Sequence, residues 1–405
     1  MKKFLSALLV LSVMAAAAAN AAPNDSKNIK SDDRTGQIES VFFSPPVGAY
    51  AGARTLFWGY HVSRDSRVVP EKVSCSIPEL KVYASVDVKT GEYRKEWIRT
   101  PDAMVPGKYK VIMKSLAKNG KVLLEKSSVL TVINRPEYGK NFPVKSVAVD
   151  PEGNMLVNGR KTLINGVYSA YYPDGIRSIA QAGFNTSKVS TENPDICKRI
   201  LKALETSAIY ADCRFKNISS KNADLLMKEL KDHPAVLILN IAGKTEISNI
   251  PIGKFPLVIL KIQTDEPEQS PHTAEQIRSS AYSALINGAK GLWWDNYRAA
   301  YRMPHIWGAL TLLNSELLEL ESVILGKRTM LATSLKAVEA AVFTDGKRTV
   351  VIAVNTGKVE AKPLFSGIPG KTLTELFTGN AAVSVMGGKV KFTVAPESTR
   401  IFEVK

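Results

Sequence analysis

The sequence predicts a mixed fold: a parallel α/β sheet or barrel in the middle of the chain, with all-β regions on either side. Three observations predict it. Over residues 144–326, apolar strands alternate with amphipathic helices, as in repeated strand–helix units. Over residues 37–135 and 327–405, short strands are cut by turns containing Gly and Pro, the pattern of β-sandwiches. Pro136 to Pro143 separates the first two regions, and its Pro and Gly content marks a linker.

The elements follow in order. In the first region, expected to be an immunoglobulin-like sandwich, residues 80–87 and 92–98 alternate around Lys89-Thr90-Gly91 and read as a hairpin. Residues 106–113 and 121–133 flank Lys118-Asn119-Gly120, a stronger hairpin signal because Asn-Gly suits a tight primed turn. In the middle region, six strands are expected at 162–170, 184–189, 208–213, 235–242, 255–262 and 288–294. The fourth and fifth are nearly all apolar, as strands buried on both faces should be. Between them run helices at 174–181, from Asn193-Pro194 onward, at 223–232, from the capping box Thr273–Gln276, and at 305–325. In the last region, strands at 337–343, 349–355, 371–377 and 389–394 are separated by Gly-containing turns and form a smaller sandwich.

The first 21 residues have the parts of a cleavable secretory signal. Lys2 and Lys3 give a positive start, Phe4 to Ala19 is apolar, and Ala19-Asn20-Ala21 is a small-x-small cleavage site. The apolar core is short for a membrane span of about 20 residues and ends without a basic stop. A secreted or periplasmic protein is expected, beginning with a polar linker over 22–36. No later run is apolar enough for stable membrane insertion.

The chain carries 54 Lys+Arg against 38 Asp+Glu, and loss of Lys2 and Lys3 leaves a net charge of about +14. Such a protein attracts acidic glycans, cell-wall polymers or anionic lipid. The lysines are dispersed rather than blocked, which favours a merely basic, solvated surface over a dedicated patch for such partners. Nucleic acid is not an expected partner, because no nucleic-acid motif is present. Cys75, Cys197 and Cys213 show no Cys-x-x-Cys spacing, and His61, His233, His272 and His305 are scattered, so neither a metal nor a cofactor is expected. Cys197 and Cys213 lie close enough in sequence to pair, but spacing alone does not fix connectivity.

Several phrases carry a resemblance. Asp150-Pro-Glu-Gly-Asn-Met-Leu-Val-Asn-Gly-Arg-Lys161 has a small hairpin ending in Asn-Gly, followed by the strand phrase Asn165-Gly166-Val167-Tyr168. Asp232-His233-Pro234-Ala235-Val236 precedes the fourth strand, and Ala284 to Leu292 runs into the last. In their order these resemble glycoside hydrolases with a (β/α)8 (TIM) barrel flanked by β-sandwich domains. The stretch 145–325 is short for such a barrel of about 250 residues. It therefore reads as a trimmed or distorted barrel of six strands.

The resemblance implies two carboxyl groups flanking a glycosidic bond. Related barrels place an acid after strand four, where this chain has Gly243 and Lys244, with Glu246 two residues on. Lysine does not supply a carboxylic acid's proton. The remaining acidic candidates are Glu266, in Asp265-Glu266-Pro267, and Asp295, both at strand ends where barrel active sites lie; Asp212 ends another strand. Glu266 with Asp295 is the best catalytic pair, with Glu246 as an outside candidate. The densest chemical cluster is Trp293-Trp294-Asp295-Asn296-Tyr297-Arg298, joined by Tyr168, Tyr171 and Tyr172. Aromatic faces stack on sugar rings, and Asp, Asn and Arg bond hydroxyls or acidic substituents. Tyr168, Tyr172, Trp294, Asn296, Tyr297 and Arg298 are the expected substrate contacts, although alternation allows only one of Trp293 and Trp294 to face a pocket. The partner implied is a polysaccharide, an acidic one included. The competing functions are hydrolysis by two carboxylates and a non-catalytic role, as a glycan-binding or envelope scaffold protein, for a relative that has lost the acid after strand four.

Overall fold

The computed structural model describes residues 41–405 apart from 65, 67, 138, 140, 169–172, 190, 192, 216–224, 227–228, 231, 242–256, 261–271, 296 and 378–380. The expected export signal and tether lie outside the described residues.

Eight strands come first: β1 (Val41–Ser44), β2 (Gly48–Tyr50), β3 (Thr55–Val62), β4 (Lys72–Ile77), β5 (Val82–Asp87), β6 (Tyr93–Arg99), β7 (Gly107–Leu116) and β8 (Val122–Ile133). They form a three-stranded sheet, β1-β3-β6, and a five-stranded sheet, β2-β8-β7-β4-β5. Alternation sets their faces: Leu56, Trp58, Tyr60 and Val62 of β3 enter a core shared with Val73 and Ile77 of β4 and Val111 and Met113 of β7. The Asn-Gly hairpin is present, with β7 and β8 paired antiparallel. The other expected hairpin is not. β5 pairs with β4 and β6 with β3, so residues 88–92 carry the chain from one sheet to the other. Alternation on 80–87 and 92–98 suits either partner, and local sequence does not choose between them.

A small sheet follows, β9 (Val147–Val149), β10 (Met155–Val157) and β11 (Arg160–Lys161). Asn158 and Gly159 both have positive φ, 53° and 77°, the geometry of the primed turn that the Asn-Gly phrase predicts.

The middle of the molecule is a six-stranded parallel sheet of β12 (Ile164–Val167), β13 (Thr186–Val189), β14 (Tyr210–Phe215), β15 (Val236–Ile241), β16 (Leu257–Leu260) and β17 (Gly291–Trp294). The order is β15-β14-β13-β12-β17-β16, so the last strand lies beside the first. Among the described residues β15 and β16 are edges. The helices are α1 (Pro173–Gln181), α2 (Pro194–Thr206), α3 (Ala274–Ile286), α4 (Tyr297–Arg302), α5 (Pro304–Glu319) and α6 (Glu321–Ile324). Asn193 caps α2 by accepting from the backbone N–H groups of Asp195 and Ile196, and Thr273 and Gln276 form the expected capping box of α3. The single helix expected over 305–325 is two, α5 and α6, with a break at Leu320.

The sheet has two unlike faces. On one, Val167, Ala211, Cys213, Leu292 and Trp294 pack against the helices. On the other, Met155 and Val157 of the small hairpin close over Ile164, Tyr210 and Ile238 at the N-terminal ends of the strands. That face is thus sealed below, and its upper rim carries the candidate site. Cys75, Cys197 and Cys213 are buried free thiols.

The last region holds β18 (Lys327–Met330), β19 (Ala332–Thr333), β20 (Val338–Thr344), β21 (Thr349–Asn355), β22 (Leu364–Ser366), β23 (Thr372–Glu375), β24 (Ala382–Ser384), β25 (Lys389–Lys391) and β26 (Ser398–Val404). A six-stranded sheet, β18-β20-β21-β26-β23-β24, faces a three-stranded one, β19-β22-β25. β21 is buried on both faces. Val351 and Ala353 face the three-stranded sheet, while Val350, Ile352 and Val354 join the same core as the helices of the parallel sheet. Polar ties reinforce this join: Arg278 of α3 donates to the Thr399 carbonyl at 2.7 Å and to Glu316 of α5 at 2.7 Å.

The first sheet also docks on the helices, through His305. Its Nε2–H donates to the His272 carbonyl at 3.2 Å, which leaves Nδ1 to accept from the Ser44 hydroxyl at 2.7 Å. Burial pushes this imidazole down to about 4, against about 6.5 in the unfolded chain. The unfolded state therefore binds more protons between these values, and stability falls as pH drops through that window. The contribution is intact above about pH 6.5, and its loss by pH 4 is on the order of 3 kcal/mol. Urea unfolding of the wild type and of His305→Gln at pH 7 and 4.5 should show the gap between them narrowing at the lower pH.

Candidate functional site

The site is built by register. In parallel strands, laterally paired residues share a face. Lys188 pairs with Asp212, and Gly166 with both Thr186 and Trp293. One step beyond Gly166 and Trp293 on that face stand Tyr168 and Asp295. The result is a row across four neighbouring strands, Asp295–Tyr168–Lys188–Asp212, at the C-terminal rim. Arg214, two residues past Asp212 on the same face of β14, rises above the row.

Each member is held. Trp293 is fully buried and forms the floor beneath the row; a Cβ on Gly166 would lie 2.7 Å from its ring, so glycine there is what allows the indole to lie across β12. The Tyr168 ring packs on Trp293 with centroids 4.8 Å apart, and the Lys188 ammonium lies 5.0 Å from the Tyr168 centroid. Asp212, 1% exposed, accepts two bonds from the Arg214 guanidinium, Nε–Oδ1 at 2.7 Å and Nη2–Oδ2. Burial works against the Arg214 charge, but the bond and charge of Asp212 outweigh it and raise the guanidinium's pKa. The Tyr168 phenol is raised by burial and then by the nearby Asp212 and Asp295 carboxylates. It stays a neutral hydroxyl, able to donate and accept.

Of the expected site residues, Asp295 and Tyr168 stand in the row. The Asp295 N–H donates to the Leu260 carbonyl, which fixes its start to β16. Tyr297 opens α4 beside them, donates its N–H to the Tyr168 carbonyl, and stacks on Tyr301 at 5.4 Å. Arg298 is exposed on α4. Trp294 is turned away from the row and packs in the core on the helix side, so the tryptophan of the site face is Trp293. Glu266, Glu246, Tyr172 and Asn296, with Lys244 and Tyr171, lie outside the described residues. Lys188 and Arg214 were missed by the sequence reading. The signal for them is a charged side chain inside a strand whose neighbours mark it as buried on both faces.

A cavity of about 410 Å³ opens at the opposite, N-terminal end of the strands, lined by Asn141, Thr162, Asn185 and Glu319 among others. In sheets of this kind that end carries stability, and the C-terminal rim carries chemistry. No group of His, Cys, Asp and Glu among the described residues is arranged to hold a metal ion, and no described helix is long and apolar enough to cross a membrane.

No protein family model and no curated protein matches the chain. Solved structures that it resembles include glycoside hydrolases. A noncanonic maltogenic alpha-amylase, AmyB from Thermotoga neapolitana, is 9% identical with a TM-score of 0.42, covering 59% of this chain and 98% of that one. A GH30 endoxylanase from Clostridium papyrosolvens C71 is 8% identical with a TM-score of 0.37, covering 64% and 100%. The alpha-fucosidase of Thermotoga maritima, in complex with fucose, is 12% identical with a TM-score of 0.39, covering 59% and 79%.

Proposed function

We propose that this is an exported glycan-binding protein that holds sugars at the rim of a trimmed (β/α) barrel, with a β-sandwich over 37–135 and another over 327–405. The row Asp295–Tyr168–Lys188–Asp212 above the Trp293 floor carries this reading. Tyr168 offers an aromatic face and a hydroxyl, Lys188 a cation and Asp295 an acceptor, the mixture a sugar ring needs. The strand order supports a barrel of first-four and last-two strands, since β17 lies beside β12.

Binding is favoured over hydrolysis by the state of the acids. Asp212 is tied to Arg214. Three strand spacings, about 14 Å of sheet, separate it from Asp295, more than the roughly 5–9.5 Å of a working carboxylate pair. The second reading rests on β16 and β17 being parallel neighbours, which puts Glu266 in the segment following the strand beside that of Asp295.

Binding and turnover assays on a polysaccharide panel separate the two. The expected result is binding without turnover, with Asp295→Asn weakening it about tenfold through loss of a charge-assisted bond. Turnover that disappears in both Glu266→Gln and Asp295→Asn would establish the hydrolase instead. For export, the protein recovered outside the cytoplasm should begin at Ala22.

A further inference from the structure

The outer face of the sheet β1-β3-β6 is covered at one end only. There α4 and α5 lie against it: the Phe42 and His305 rings meet at 5.7 Å, and the Arg302 guanidinium sits 5.2 Å from the Tyr93 ring. Lys95 marks the border. Its ammonium donates to the Tyr301 carbonyl at 2.7 Å and lies between two rings, 3.7 Å from the Tyr301 centroid and 4.2 Å from that of Phe57. Past Lys95 the face is open. Phe57 and Trp97 are direct cross-strand partners, yet 41% and 53% of each is exposed. The Arg99 guanidinium stands 4.5 Å from the Trp97 ring, and no carboxylate among the described residues pairs with it.

A lone exposed aromatic is ordinary. This pair is different because it continues the rim. Trp97 lies opposite Phe57, Phe57 meets Lys95, Lys95 meets Tyr301, Tyr301 stacks on Tyr297, and the Tyr297 N–H bonds the Tyr168 carbonyl. Tyr297 and Tyr301 are themselves partly exposed. A run of neighbouring rings joined by Lys95 therefore leads from α4, whose first residue is tied through its backbone to Tyr168, onto the first sheet. Among the described residues, Arg99 is the cation on the sheet end of this run without a carboxylate partner, since Lys95 already donates to the Tyr301 carbonyl.

We propose that this strip, ending at Phe57, Trp97 and Arg99, is an extension of the binding surface that takes further units of the same glycan chain, and that the chain is anionic. The proposal rests on the glycan-binding reading of the rim. Flat aromatic faces meet the C–H faces of sugar rings, and a guanidinium pairs in a fork with a carboxylate or sulfate. A neutral polymer leaves Arg99 without a counter-charge.

Affinity electrophoresis through gels holding polygalacturonate, alginate, chondroitin sulfate or neutral xylan tests it, with calorimetry on short oligomers of whichever polymer retards the wild type. Trp97→Ala should weaken binding of the long anionic polymer about tenfold and leave the short oligomer unchanged. Lys188→Ala, at the rim, should weaken both. Near-UV circular dichroism checks that each variant is folded. If Trp97→Ala and Phe57→Ala bind the polymer like the wild type while Lys188→Ala does not, the strip is refuted and the rim stands. If the wild type is retarded by xylan alone, the anionic assignment is overturned. If it is retarded by nothing, both the strip and the rim reading fall.

Discussion

Replacing Arg214 by alanine should destabilise the protein by about 3–5 kcal/mol, the cost of leaving a buried carboxylate without its partner. Asp212 is almost wholly out of water, and both of its oxygens accept from the one guanidinium. The nearest other cation in the row is Lys188, its register partner on β13, which is engaged with the Tyr168 ring. The variant therefore has to bury an unpaired charge, take up a proton or distort β14. Urea unfolding at pH 7 measures the loss. Removing both charges as Asp212→Asn with Arg214→Met should restore most of the stability, because a neutral pair of similar shape avoids the desolvation cost. A loss below about 1 kcal/mol in Arg214→Ala would mean that the ion pair contributes no more than a surface one.

Trp293→Ala should cost about as much, roughly 3–5 kcal/mol, for a different reason. The indole is fully buried under the rim, and Gly166 exists in a form that admits it. Truncation leaves a cavity beneath Tyr168, whose ring loses the surface that orients it. Glycan binding should fall with stability, and it should fall further than in Arg298→Ala, which alters only an exposed side chain. The converse change, Gly166→Ala, pushes the ring from the other side and should cost about 1–3 kcal/mol by overpacking. Thermal melts together with polymer retardation on the three variants provide the check.

The order of elements was legible in the sequence because it rests on period and punctuation. The Asn193-Pro194 cap, the Thr273–Gln276 capping box and the Asn158-Gly159 turn are local signals, and all three stand where the residues put them. Pairing between strands was less legible. Residues 80–98 alternate well enough for a hairpin, yet β5 and β6 belong to different sheets, because the partner is chosen by burial in the shared core and not by the intervening turn. The candidate row was half legible: Asp295 and Tyr168 stand out in the sequence by their place at strand ends. Trp294 and Trp293 exchange roles because which face of a strand looks inward is a question of register, settled here by Gly166 on the neighbouring strand. Lys188 and Arg214 look like ordinary surface charges until β13 and β14 are seen to be interior strands.

The core that runs from the parallel sheet through α3 and α5 into β20, β21 and β26 has a consequence for how this protein can be taken apart. A carbohydrate module hung on a linker can be cut off, swapped or lost during evolution without harm to its neighbour. The C-terminal sheet here is no such appendage. Removing it would bare the far side of α3 and α5, strip Arg278 of its backbone acceptor, and leave a greasy flank on whatever remained. A fragment ending near residue 326 should therefore be sticky rather than minimal, and the smallest well-behaved unit that contains the rim should run on to the last strand.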